Sequence, residues 1–228
     1  MELYNKKVRV NGEYAPFYGW TVVAMVDSAC DLTFIENYLT HHQVLREYFS
    51  PLPSSSYHMT VYNIWSNGSM LLPHQERFLQ QNFDQYTCKN FKSQSRSIGD
   101  FNPNGCINGL LDRMHYSIKN SDWGTIKLTI HTVRYTGGTI GILLKDSPEF
   151  ANVNNIRSNM TELAEKNDKM GCYHITLGYK YKDFDKKTQK TIDAEVAILN
   201  MLLQGQTITL SRPIVAKFCD MTEFTPVY

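Results

Sequence analysis

Two histidines carry the chemical interest of this sequence, His58 and His174, each followed two positions later by a threonine, Thr60 and Thr176. They stand in Tyr57-His58-Met59-Thr60-Val61-Tyr62 and Tyr173-His174-Ile175-Thr176-Leu177-Gly178, runs of the β-branched and aromatic types that strands favour. Side chains alternate across a strand, so His58 shares a face with Thr60 and His174 with Thr176. Tyr57, Met59 and Val61, with Tyr173, Ile175 and Leu177, then form the core-facing sets. An imidazole beside a hydroxyl on the polar face of such a strand suits an anion. Histidine, with an ordinary pKa of roughly 6.5, can take up or give a proton near neutrality, so two such strands read as two halves of one anion site with acid–base capacity.

Other chemistry is less well supported. His58 and His174 could ligate a metal, but no third ligand stands at a recognisable spacing, so neither a metal nor a cofactor is expected. His41 and His42 read as surface and turn residues, and His74, His115 and His131 have no patterned partner. The five cysteines, Cys30, Cys88, Cys106, Cys172 and Cys219, form no CxxC pair, and their number is odd. That composition suggests reduced thiols in the cytoplasm. Cys172 reads as a small packing residue near a strand start. For stacking a base, Tyr62 is the first candidate, because it shares the face of His58, with Tyr18 and Trp20 behind it. Lys180 shares the face of His174 and could steer a phosphate; Arg134 is a weaker candidate for the same task.

The elements that must position these residues follow from patterning. Trp20 to Val26 reads as a buried strand and Asp31 to Phe49 as a helix with an apolar stripe. Pro51, Pro53 and serines end it before the first His-x-Thr strand at 57–64. A helix opens at Pro73 and runs to about Gln85, and residues 86–105 read as an irregular loop. A helix at 107–118 precedes a strand at 126–135, a Gly137-Gly138 hairpin and a strand at 139–145. A helix from Pro148 to Lys166, the second His-x-Thr strand at 172–181 and a helix from Lys186 to Leu203 come next. Strands at 207–211 and 214–218 close the chain. Strand, helix, His-x-Thr strand, helix thus occurs twice at nearly one pitch. The expectation is one α+β domain over 1–228 made of two pseudo-symmetric lobes of antiparallel sheet plus helices, about 18–85 and 137–205, around a central cleft. Residues 86–120 would be an insertion between them.

With 42% apolar and 20% charged residues and a formal net charge of +1, the composition is that of an ordinary globular protein. A whole-protein field able to hold duplex nucleic acid is not expected. No signal peptide and no apolar run near the roughly 20 residues of a membrane span are evident.

Paired His-x-Thr strands in a bilobal α+β chain resemble the two-histidine (2H) phosphoesterase superfamily, also called LigT-like, and residues 55–61 are especially similar to one of its subgroups. The resemblance runs from about Tyr18 to the C-terminus. It implies a metal-independent phosphodiesterase with His58 and His174 as catalytic pair and Thr60 and Thr176 as phosphate-binding residues. The implied substrate is a nucleotide or short oligonucleotide with a 2′-5′ or 3′-5′ linkage, such as 2′-5′ oligoadenylate or the cyclic dinucleotide cGAMP. The alternatives are an RNA-end-processing 2′,3′-cyclic phosphodiesterase and a non-catalytic nucleotide- or RNA-binding module.

Overall fold

The computed structural model describes residues 2–66, 107–123, 126–164 and 173–228. The helix expected from Pro73, the loop expected over 86–105, the insertion expected over 86–120 as far as residue 106, His74 and Cys172 lie outside the described residues.

Strand β1, Gly19–Met25, is the expected β-branched run. The single helix expected over 31–49 is instead two, α1 at Thr33–His41 and α2 at Gln43–Tyr48. The break falls at His42, whose backbone is extended (φ −70°, ψ 119°). Its Nδ1 accepts the Leu45 N–H at 3.4 Å, so the ring caps α2 and satisfies an orphan donor of its first turn. His42 is therefore a structural cap and not an incidental surface residue. The chain continues through β2 (Phe49–Pro51) into β3 (His58–Ser66).

Helix α3 spans Ile107–Lys119, and β4 (Ile126–Thr136) and β5 (Thr139–Leu144) form a hairpin. Its Gly137 and Gly138 both have positive φ, 58° and 83°. A two-residue turn of that hand matches the right-handed twist of the flanking strands, which is why two glycines stand there. Helix α4 (Phe150–Ala164) leads to β6 (His174–Lys180) and then to α5 (Lys186–Leu203). The Asp185 carboxylate caps α5 by accepting the Thr188 N–H at 2.7 Å. Strands β7 (Thr207–Leu210), β8 (Ile214–Phe218) and β9 (Thr225–Pro226) complete the described elements.

These elements make an α+β fold built on a curled antiparallel sheet. Its order is β7-β4-β5-β6-β3-β1-β8-β9, with β2 added alongside β6. The two His-x-Thr strands thus sit at the centre as neighbours, each paired on its other side with the strand that opens its half of the repeat, β1 for β3 and β5 for β6. One face is buried under helices: α4 packs on β3 and α5 on β4. Met59, Val61, Ile175 and Leu177 are fully covered there, as their alternation requires, together with Trp20, Ile35, Leu39, Val153 and Leu199. Two further points bear on the cysteines and on membranes. Cys30 is a free thiol, but Cys219 is disulfide-bonded, which corrects the expectation of reduced thiols throughout. Among the described residues no helix is long and apolar enough to cross a membrane.

Candidate active site

The site is set by one backbone pairing. Strands β3 and β6 meet antiparallel through Met59 and Ile175. One step either way along that register puts His58 opposite Thr176 and Thr60 opposite His174. The four polar side chains therefore occupy the corners of a patch on the face away from the core, with the histidines on its diagonal. In a regular ladder direct neighbours are about 4.5–5.5 Å apart at Cβ and diagonal ones about 7–8 Å. That diagonal leaves room for a phosphate between two rings. Strand β2 takes the far part of β6, from Gly178 to Lys180, so β3 and β6 diverge after their single pairing and the face opens. All four residues line one cavity of about 290 Å³.

The two imidazoles differ. His58 Nδ1 lies 2.7 Å from the Ser56 carbonyl oxygen. A carbonyl can only accept, so Nδ1 carries the hydrogen and Nε2 keeps its lone pair. The ring also packs on Phe224, with centroids 4.0 Å apart. Burial is the main reason its pKa is pushed down, from 6.5 to about 4; the Ser56 carbonyl opposes the shift, and Lys7 and His174 add to it. Near neutral pH His58 is an uncharged base. His174 starts its strand in an exposed position.

Of the remaining sequence-based candidates, none lines the cavity. Tyr62 and Trp20 are fully buried in the core, and Tyr18 is packed against it. Lys180 is committed to Asp183, 2.6 Å away, and does not line the cavity. Arg134 lies exposed on β4. Tyr62 and Lys180 fail for one reason. Val22 pairs with Tyr62 and Val23 with Thr60, which leaves Val61 as an extra residue. Ile140 pairs with Gly178 and Gly141 with Thr176, which leaves Leu177 extra in the same way. Each motif is followed by a β-bulge, and a bulge reverses the alternation beyond it. The residues returned to the cavity are thus Asn63 and Tyr179, three positions after each threonine. The trace of this was present in the sequence: Val61-Tyr62 and Leu177-Gly178 interrupt the polar–apolar alternation at equivalent places.

Sequence reasoning also missed Lys7 and the phenylalanines. Lys7 Nζ donates to the Tyr179 hydroxyl at 3.0 Å. Phe17 stacks on Phe218 at 5.9 Å, and Phe218 lies 5.5 Å from Phe224, so an aromatic wall leads up to His58. Phe17 and Trp20 stand close together in the sequence, and which of them faced the cavity depended on the strand beginning at Gly19. Among the described residues no carboxylate lines the cavity, and no cluster of three or more potential metal ligands comes together.

No protein-family model matches the chain. Uncharacterized protein 127L of Invertebrate iridescent virus 6 is 25% identical over an alignment covering 98% of this chain and 95% of that protein. Among solved structures, a conserved protein of unknown function from Agrobacterium tumefaciens str. C58, ATU0111, is similar with a TM-score of 0.66. That match has 16% identity and covers 96% of this chain and 88% of the other. The likeness is one of fold, and it extends over nearly the whole chain.

Proposed function

We propose that the chain is a metal-independent phosphodiesterase of the two-histidine phosphoesterase type, acting on a nucleotide or short oligonucleotide. The observation that carries this reading is the convergence of His58, Thr60, His174 and Thr176 on one cavity across the β3–β6 seam. A scissile phosphate on the diagonal would have an imidazole on either side and a threonine hydroxyl beside each. His58, neutral and with Nε2 unprotonated, takes the proton from the attacking hydroxyl. The new O–P bond forms as the opposite P–O bond breaks, and protonated His174 gives its proton to the departing oxygen. Thr60 and Thr176 donate to the non-bridging oxygens. In a 2′-5′ linkage the neighbouring 3′-hydroxyl is the internal nucleophile, favoured by its effective concentration, and the products are a cyclic phosphate and a free 5′-hydroxyl. The preferred substrates remain 2′-5′ oligoadenylate and cyclic dinucleotides such as cGAMP. A cavity of about 290 Å³ suits one nucleotide step better than a length of duplex.

The experiment is incubation with cyclic dinucleotides, 2′-5′ oligoadenylate and RNA bearing a 2′,3′-cyclic phosphate, in excess EDTA. Turnover that disappears in His58→Ala and in His174→Ala, with both variants still folding cooperatively, is the expected result. Tight binding with no product from any of them would replace the enzyme by a binding module.

A further inference from the structure

Lys7 belongs to neither half of the repeat. The N-terminal segment folds back on itself, with bridges between Leu3 and Arg9 and between Val8 and Tyr14. Three side chains fasten it beside β6. The Tyr4 hydroxyl donates to Asp183 at 2.6 Å, the Asn5 amide to the Lys180 carbonyl at 3.2 Å, and the Tyr14 hydroxyl to the Ser50 carbonyl at 2.9 Å. So held, the segment delivers Lys7 to the cavity. Its ammonium lies 4.7 Å from the centroid of Tyr179 and 5.1 Å from that of Phe17, besides its bond to the Tyr179 hydroxyl.

The company this lysine keeps sets it apart. Lys180 and Lys182 each sit on a carboxylate, Asp183 at 2.6 Å and Glu47 at 2.7 Å. Among the described residues no carboxylate pairs with Lys7. A phenol and two ring faces hold an ammonium in place without cancelling its charge, and of its three donors the Tyr179 hydroxyl takes one. A fixed positive charge is thus aimed at a cavity whose other polar lining, among the described residues, is hydroxyl, amide and imidazole.

We propose that Lys7 is the charge-selecting residue of this site, making it prefer a phosphate bearing two negative charges over a singly charged diester. The inference rests on the anion-site reading above. The threonine hydroxyls and the two histidines suffice for a diester monoanion; an ammonium that no carboxylate among the described residues neutralises favours the additional charge. During cleavage the non-bridging oxygens pass from one negative charge towards two, so the same contact strengthens as the reaction proceeds. Tyr179 acts as its positioning residue.

The test compares adenosine 5′-monophosphate with its methyl ester, well above the second phosphate pKa of roughly 6. Titration is followed by calorimetry and by the NMR signals of His58 and His174. In the wild type both rings respond, and the monophosphate binds about tenfold or more tightly than the ester, as a charge-assisted hydrogen bond implies. In Lys7→Met, and in Lys7→Gln should the methionine variant fold poorly, that ratio falls towards one, with the ester's affinity held within about threefold. Lys7→Arg restores the preference. An unchanged ratio in the neutral variants overturns the role of Lys7 alone, and so does equal weakening of both ligands, which marks a scaffold effect. Rings that respond to neither ligand in the wild type overturn the anion site itself.

Discussion

The environment of His58 makes a prediction that can be worked through in numbers. Its pKa is pushed from 6.5 to about 4, chiefly by burial, with Phe224 against the ring and Lys7 and His174 adding to the shift. Between those two pH values the unfolded chain binds a proton at this residue and the folded chain does not. Stability therefore falls as the pH drops from 6.5 towards 4 and is unaffected by this group above that window. The fall from 6.5 to about 4 corresponds to a loss of at most roughly 3–4 kcal/mol, a ceiling because the ring keeps an edge in the cavity. Phe224→Ala removes the neighbour centred 4.0 Å away and admits water to the ring. The variant should be less stable at neutral pH through lost packing, by about 1–3 kcal/mol, yet lose less on acidification. Its His58 midpoint should move up towards 6.5, and the acid limb of kcat/KM should move with it. Urea unfolding at several pH values and NMR titration of the histidine ring protons measure both effects. A wild-type His58 titrating near 6.5, or a midpoint unmoved by Phe224→Ala, would refute the desolvation argument and with it the assignment of His58 as a neutral base.

Other outcomes follow from the same geometry. Thr60→Val and Thr176→Val should each lower kcat on a cleaved substrate by about 10²–10³-fold while leaving the unfolding midpoint nearly unchanged, because each removes a donor to the developing charge; steady-state kinetics checks this. Lys180→Ala, whose ammonium is held by Asp183 outside the cavity, should keep substrate affinity within about twofold, and a large rise in KM would restore it to the site. Gly19→Ala should be severely destabilising, since a Cβ there would stand 2.0 Å from the Trp65 carbonyl oxygen. Overpacking of this kind costs about 1–3 kcal/mol or more, read as a fall in the denaturant midpoint, and a neutral result would show that β1 and β3 can separate freely at that point.

Much of this protein was legible in the sequence because it is governed by local physics. The polar–apolar alternation of Tyr57 to Val61 and Tyr173 to Leu177 fixed both strand identity and core face, and those residues are buried as that alternation demands. The Gly137-Gly138 turn and the span of α5 depend only on neighbouring residues, and both stand where patterning put them. The pairing of the two His-x-Thr motifs was also foreseeable, since matched motifs in a repeat become neighbours when the repeats pack symmetrically.

What the sequence left undecided is what depends on partners distant along the chain. Each bulge is a mismatch between two strands, Val61 against β1 and Leu177 against β5, so the interrupted alternation within one strand marks the place but only the partner strand decides the outcome. Asn63 and Tyr179 therefore reach the cavity in place of Tyr62 and Lys180. Lys7 and Phe224 enter from segments near the two ends of the chain, where no periodic pattern announces a role. The unequal environments of His58 and His174, which decide what each can do with a proton, arise from those same late contacts. Alternation along a strand sets which way a side chain leans, but the charge and solvent it meets are set by whatever the rest of the chain folds against it.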